Sequence, residues 1–406
     1  MSTPRPLTFL CISSYFKGEA FLRSCKEAGN RVFLVTSKGL EKEAWPWDHI
    51  DETFYLEEDA NQHWNMPDLI AGLAYFMRRN KVDRIVALDD FDVEKAAHLR
   101  EQFRIPGMGQ TTARYFRDKL AMRVKAAEAG IAVPAFCDLF YDEDINEYAR
   151  TVRPPWVVKP RSEASATGIK KVHSPEELWE VIHQLGDHRP NYLVEQFKPG
   201  DVYHVDALTV DGEVQFARSS QYLSTPMEVA HGGGVFRSHT IAFGSEEDRT
   251  LQQLNAQVMQ AFGMQFSASH TEFIRCHEDG QFYFLETSSR VGGAHLAEMV
   301  EMSSGINLWA EWAKIESAMA RGEAYTLPDI QDDYTGIIVS LSRFAHPDTS
   351  SFADPEICWR MNKEHHIGMI VRSGQRERVL SLLDQYTERV LRDFHASAPA
   401  PDATNH

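Results

Sequence analysis

Short apolar runs separated by amphipathic stretches open the chain. Residues 7–13 (LTFLCIS) form a continuous apolar run, the pattern of a strand buried on both faces. Residues 17–29 follow with helical spacing and stop at Gly29, and residues 31–36 (RVFLVT) read as a second strand. The alternation continues through a helix at 67–80, a strand at 84–88 (RIVAL) that runs into Asp89-Asp90, and a helix at 93–103. This order predicts a small doubly wound α/β domain over residues 1–110. Its strand ends suit a ligand, or the domain is purely architectural. The first turn, SSYFKG, lacks G-x-G-x-x-G, so no dinucleotide fingerprint is present.

From residue 111 the pattern changes. A helix is predicted over 111–130, opened by Thr111 and closed by Gly130, with Lys119 in its middle turn, where a lysine is ordinarily solvated. Residues 155–160 (PWVVKP) read as a strand closed by Lys159, which either snorkels at an edge or points into a site. The stretch 161–171 (RSEASATGIKK) contains Ser165, Thr167 and Gly168. Small residues leave backbone N–H groups free for phosphate oxygens, although a plain loop has the same composition. Ser174-Pro175 predicts a capped helix running to 185. Strands at 191–197, 202–209 and 213–218, the last two joined by Asp211-Gly212, predict an α+β unit with one antiparallel sheet over 150–218. Four residues, His231 to Gly234, precede a strand at 235–242 that carries Arg237. Helices at 250–262, 294–303 and 309–321, strands at 336–342 and 366–372, and a helix at 375–394 complete the ordered chain. The tail 395–406 is small, polar and Pro-rich, which predicts disorder.

Residues 270–293 (HTEFIRCHEDGQFYFLETSSRVGG) stand apart. Strands at 271–277 and 281–286 are joined by Glu278-Asp279-Gly280, with Gly280 where such a turn needs a left-handed residue. Folding the hairpin about Asp279 brings Glu272 opposite Glu286, to within one residue. Facing carboxylates lie roughly 5 Å apart and repel. A raised pKa, a basic neighbour or a cation between them relieves the repulsion. The spacing suits Mg²⁺, with Mn²⁺ as a substitute; two solvated acids on a surface hairpin are the alternative.

Composition narrows the class. The 406 residues suffice for two or three domains, and 43% hydrophobic with 25% charged content is ordinary for a globular chain. A net charge of −17 argues against nucleic acid as a partner. Five scattered cysteines without C-x-x-C spacing fit a reducing compartment. No apolar run approaches the ~18 residues of a membrane span, and no signal-peptide pattern opens the chain. The expectation is a cytoplasmic protein with no membrane partner.

The motifs occur in one order: RDK around Lys119, VVKP around Lys159, VEQF around Glu195, YHVDAL around His204, TEF at Glu272 and LETSSRVGG at Glu286. As a set, over residues 7–321, they resemble the ATP-grasp superfamily, most closely its biotin-carboxylase-like branch, which includes amino-acid ligases. The resemblance implies an α/β ATP-grasp fold. An N-terminal domain at 1–110 would precede the ATP-grasp domain at 111–325, with a lid subdomain at about 131–198. Two α+β subdomains would grip the nucleotide, and a small C-terminal α/β piece would occupy 326–394. It also implies ATP as cofactor. Lys119 and Lys159 would sit on the phosphates, and Ser165, Thr167 and Gly168 in a closing loop. Glu195 and Phe197 would lie at the adenine hinge, with His204 near the nucleotide. Glu272, Glu286 and Ser288 would hold metal, and Arg290 would be the catalytic arginine. Arg237, the loop 231–234 and Gly293 are candidates for gripping substrate; a structural arginine is the alternative for Arg237 and an ordinary bend for the loop. Two positions depart from the family pattern: Ser288 replaces the usual asparagine, and the loop is poor in glycine.

The activity the resemblance implies is ADP-forming carboxylate–amine ligation through an acylphosphate, on small-molecule acids and amines, by a chain that dimerises as relatives commonly do. Biotin-carboxylase-type carboxylation and a non-catalytic nucleotide-binding module are the competing readings.

Overall fold

The apolar runs at the N-terminus become β1 (Thr8–Ser13), α1 (Glu19–Glu27), β2 (Arg31–Ser37), β3 (Glu52–Leu56), α2 (Met66–Met77), β4 (Arg84–Ala87) and α3 (Val93–Phe103). The four strands pair in parallel in the order β3-β2-β1-β4, and both faces of the sheet are covered by apolar side chains. β4 delivers the acidic run at residues 89–92 to the sheet's carboxyl edge, where Asp89, Asp90 and Asp92 are all buried. The computed structural model describes residues 5–60, 63–163, 168–224 and 234–396. No helix among them is long and apolar enough to cross a membrane.

The single helix expected over 111–130 is two, α4 (Gln110–Arg114) and α5 (Lys119–Glu128). Asp118 breaks it by capping α5, its carboxylate accepting from the Leu120 and Ala121 amides at 3.0 and 3.4 Å. Lys119 is therefore the first residue of α5 rather than a mid-helix residue. A second layer comprises β5 (Phe136–Asp138), α6 (Asp142–Thr151), β6 (Trp156–Pro160), β7 (Lys170–Val172), α7 (Pro175–Leu185) and β8 (Tyr192–Gln196), in an antiparallel sheet ordered β5-β8-β6-β7. Ser174 caps α7 by accepting from the Glu177 amide at 3.3 Å, and Pro175 opens it, as the sequence predicts.

The rest forms β9 (Gly200–Val210), β10 (Glu213–Tyr222), β11 (Phe236–Thr240), α8 (Glu246–Phe262), β12 (Ser267–Cys276) and β13 (Phe282–Ser288). These are followed by α9 (Leu296–Ser304), α10 (Leu308–Arg321), β14 (Tyr334–Leu341), β15 (Ile357–Arg360), β16 (His366–Ser373) and α11 (Arg376–Asp393). Eight strands make one sheet, ordered β13-β12-β9-β10-β11-β14-β16-β15. Two points of the expected layout are corrected or completed here. The sheet of residues 150–218 is not one unit, because β9 and β10 leave the small sheet to pair with β12 and β11. The second is that the strands of the expected C-terminal α/β piece, whose sheet the sequence left open, extend the central sheet through the pairing of β11 with β14. The tail is not free from residue 395 either. The Ala396 amide donates to Leu341 O at 3.1 Å and His395 Nδ1 lies 2.8 Å from Ser340 Oγ. The expected tail from 397 onward lies outside the described residues.

α10 locks the N-terminal sheet to the central one. Trp312 packs edge-on against Phe21 of α1 at 5.0 Å between ring centroids. Arg84 donates to Glu316 at 2.6 Å in a buried ion pair. The N-terminal domain is thereby tied to α10, which packs on β9 and β12 of the central sheet.

The hairpin β12–β13 has the expected register, with Glu272 directly opposite Glu286, and Gly280 is left-handed at φ 71°. One irregularity follows. The pairing steps from Glu272–Glu286 to Phe273–Phe284, so Leu285 is an extra, unmatched residue.

Candidate active site

Side chains alternate across β9, β12 and β13, and this places two rows on one face. His204, Glu272 and Glu286 are neighbours in the first row; Asp206, His270 and Ser288 are neighbours in the second. The outer part of this face forms one wall of a cleft of about 720 Å³. Lys119, Lys159, Glu195, Phe197, Glu272, Glu286, Ser288, Arg290 and Gly293 all line it. Residues separated by more than 170 positions in the chain thus meet in one cavity.

Lys119, Lys159 and Arg290 each have an acid partner. Lys119 Nζ is 2.7 Å from Glu286 Oε2 and donates to Glu163 O at 2.7 Å. Lys159 Nζ is 2.5 Å from Glu195 Oε1, while Arg123 Nε donates to Glu195 Oε2 at 2.9 Å. Arg290 Nε donates to Asp90 Oδ2 at 2.9 Å, and its Nη2 contacts the same oxygen. Burial pushes Lys159 down to about 8 despite Glu195. Burial alone would raise Glu195, Glu286 and Asp90, but Arg123, Lys119 and Arg290 respectively are the main partners holding them below the ordinary carboxylate range. All three acids are therefore ionised at neutral pH.

Glu272 accepts from the Tyr222 hydroxyl at 2.9 Å. Burial and Glu272 together push the Tyr222 phenol well above its ordinary value, so it remains a donor. Two hard carboxylates on one face, with the Ser288 hydroxyl one row away, form a donor set that fits Mg²⁺. The paired lysine is the basic neighbour that relieves the repulsion in this structure.

Three sequence candidates are not brought to the cleft, Arg237, His204 and Gly168. Arg237 follows Phe236, which lines the cleft, so strand alternation turns Arg237 to the opposite face. There its Nη1 donates to Asp384 of α11 at 3.0 Å. His204 lies on the correct face but has no exposed surface. Tyr222 and His270 cover it at centroid distances of 4.7 and 5.2 Å, and both ring nitrogens are engaged, by Asp206 and Ser238 at 2.7 Å each. Neither is placed to contact a ligand in the cleft. Gly168, at φ 70°, sits over Pro160 and does not line the cleft. Ser165 and Thr167 lie outside the described residues, as do 231–233 of the glycine-rich stretch.

The site also contains residues that the sequence reading missed. Arg123 is fully buried and bridges Glu195 to Leu285 O, at 2.5 Å from the latter. Nothing in its helical spacing distinguishes it from a surface arginine. Asp90 had a signal, since acids at the carboxyl end of a parallel strand sit where ligands bind. Tyr222 and His270 had none beyond the strand period.

The comparisons with known proteins agree with this geometry. The family described as "D-ala D-ala ligase C-terminus" matches residues 126–292. An L-arginine-specific L-amino acid ligase from Bacillus subtilis is 27% identical over 272 residues, covering 65% of this chain and 64% of that protein. Among solved structures, an L-amino acid ligase from Bacillus licheniformis superposes with a TM-score of 0.75 at 16% identity, covering 97% of this chain and 99% of that one. A biotin carboxylase from Campylobacter jejuni superposes with a TM-score of 0.68 at 16% identity, over 94% of this chain and 90% of that one. With three sheets arranged as described and the acid pair facing two lysines and an arginine, the chain has the α/β ATP-grasp fold of these solved structures.

Proposed function

We propose that the protein is an ATP-dependent, ADP-forming carboxylate–amine ligase that makes an amide or peptide bond through an acylphosphate. The observation that carries this reading is the meeting of Glu272 and Glu286 with Lys119, Lys159 and Arg290 in one cleft. The named relatives that ligate amino acids support it.

Lys119 and Lys159 meet the nucleotide's phosphates, each turning from the acid it pairs with in this structure. Phe197 and the neighbouring backbone border the base. Glu272, Glu286 and the Ser288 hydroxyl would hold Mg²⁺, which when bound neutralises phosphate charge. The acid's carboxylate oxygen attacks the γ-phosphorus, the bond from that phosphorus to the β,γ-bridging oxygen breaks, and ADP leaves. An amine then attacks the acyl carbon, loses a proton, and expels phosphate. Arg290 lies where the oxyanion of that second step develops, and a preorganised cation there lowers the barrier. We assign the N-terminal domain to residues 1–110, the ATP-grasp domain to 111–325 and the C-terminal piece to 326–394.

The test is ADP release by purified protein with MgATP, screened over pairs of L-amino acids. Release that needs an acid and an amine supports ligation. Release that needs bicarbonate and biotin overturns it in favour of a carboxylase, and tight ATP binding without turnover overturns it in favour of a binding module.

A further inference from the structure

Arg117 lines the cleft but, unlike Lys119, Lys159 and Arg290, has no acid partner among the described residues. It lies in the turn between α4 and α5 and is only 9% exposed. Its guanidinium donates no hydrogen bond to the described residues either. Lys198 also lines the cleft without an acid, but it is only half-buried and rests on the Tyr283 ring at 4.3 Å. A cation as buried as Arg117 has given up most of its water and gained no counter-ion, and an anion entering the cleft supplies one.

What holds Arg117 is a ring. Its guanidinium carbon lies 4.3 Å from the centroid of Phe91, and Phe91 packs in turn on Tyr15 at 5.1 Å. A ring contact fixes the side chain without using its N–H donors, so the fork stays free for the two-pronged grip that matches a carboxylate. Phe91 belongs to the run that follows β4, and Asp90, the residue before it, accepts from Arg290 Nε at 2.9 Å. Two consecutive residues of the N-terminal domain thus hold two arginines at its border with the cleft. Burial would raise Asp90, Arg290 holds it down, and Arg117 adds to that effect, so the second guanidinium lies within electrostatic reach of the same carboxylate.

We propose that Arg117 is a substrate-contacting residue that grips the free carboxylate of the acyl acceptor, and that the acceptor is therefore an α-amino acid rather than a plain amine. This rests on the ligase reading above. In an α-amino acid the amine and the carboxylate share one carbon. A group that grips the carboxylate must then sit near the acyl carbon that the amine attacks, which is the place the ligase reading gives to Arg290. In that reading the nucleotide's phosphates have Lys119, Lys159 and the acid pair's Mg²⁺. Arg117 is instead braced against the carboxyl edge of the N-terminal sheet, where open α/β sheets take their ligands.

The experiment uses the full chain with MgATP and a pool of the twenty L-amino acids, which supplies both acid and acceptor. Dipeptide is measured by mass spectrometry. In parallel reactions hydroxylamine, an acceptor with no carboxylate, traps the acylphosphate as hydroxamate. Arg117→Ala should lower the ratio of dipeptide to hydroxamate at least about tenfold, through a raised KM for the acceptor amino acids. Arg117→Lys keeps the charge but not the fork. It should lower the ratio by less than alanine does but by more than about twofold, and it carries the test if Arg117→Ala does not fold. A ratio within about twofold of wild type would overturn the proposal. If both products fell together, Arg117 would serve the nucleotide or the acid; if neither fell, it would only brace the domains. Wild-type protein that yields hydroxamate but no dipeptide would also overturn it, by showing that the acceptor is another kind of amine, and would leave the ligase reading standing. Wild-type protein that yields neither product and releases no ADP would instead sink the ligase reading.

Discussion

Lys159 Nζ lies 2.5 Å from Glu195 Oε1, and both side chains are buried where the small sheet meets the cleft. A phosphate contact made by Lys159 needs its positive charge, which it holds below about 8 and loses above. In the unfolded chain a lysine titrates near ~10.4, so in the interval between the two values the unfolded state binds more protons. Two consequences follow. The kcat/KM for ATP should fall as pH rises through about 8, and Lys159→Arg should remove that inflection, because a guanidinium stays charged. The stability of wild type relative to Lys159→Met should rise through the same interval and be lost as pH falls through it. A rate profile with no inflection near that value would contradict the phosphate role.

Glu195 also accepts from Arg123, so its carboxylate compensates two buried cations at once. Glu195→Gln keeps the volume and removes the charge, leaving Lys159 and Arg123 without a counter-ion. Breaking a buried pair from one side costs about 3–5 kcal/mol. Urea unfolding should show a loss of that size, and a loss below about 1 kcal/mol would mean that water reaches the triad.

Glu286 is partly exposed and faces Glu272 across the hairpin. Its removal leaves the core untouched. Glu286→Ala should slow ADP formation by about 100-fold or more, equivalent to about 2.7 kcal/mol of barrier, with the circular dichroism spectrum unchanged. Turnover at the wild-type rate would remove the acid pair from the mechanism.

Gly292 offers a test by shape alone. Its Cβ position lies under 3 Å from both Asp206 and His270, so alanine forces the backbone away from them. Gly292→Ala should cost about 1–3 kcal/mol in thermal or urea unfolding. At Gly293, where nothing lies within 4 Å, the same substitution should cost far less. Equal effects at the two positions would show that the contact with the Asp206–His270 pair is unimportant.

Much of the site was legible because hairpin register is written in the sequence. The Glu-Asp-Gly turn fixes the fold of the β-ribbon, and counting back from it pairs Glu272 with Glu286 to within one residue, the residue that the insertion at Leu285 supplies. Lys159 was legible because a lysine closing an apolar strand has few ordinary explanations. Arg237 misled because an arginine near a glycine-rich segment looks like a carboxylate grip, whereas the face it occupies depends on its neighbour Phe236. His204 misled in another way: its strand and face were right, but it is covered by Tyr222 from the next strand and by His270 from β12. Arg123 and Asp90 depend on contacts across 72 and 200 residues, which no local pattern records. The break at Asp118 escaped because apolar spacing runs on through it, and only the cap reveals the new helix.

The unmatched residue Leu285 decides more than the shape of a strand. Phe284 is buried in the core beside Phe273, at 6.0 Å between rings, while Glu286 opens into the cleft. Residues two apart on a regular strand share a face, so these two would be incompatible without the intervening insertion. Removing Leu285 would force a choice: either an aromatic ring is expelled into water or the acid is swung into oil. The Glu286 carboxylate owes its outlook to a hiccup in the backbone, and a chain lacking that hiccup would have to place its second acid one position earlier or later to face the same cleft.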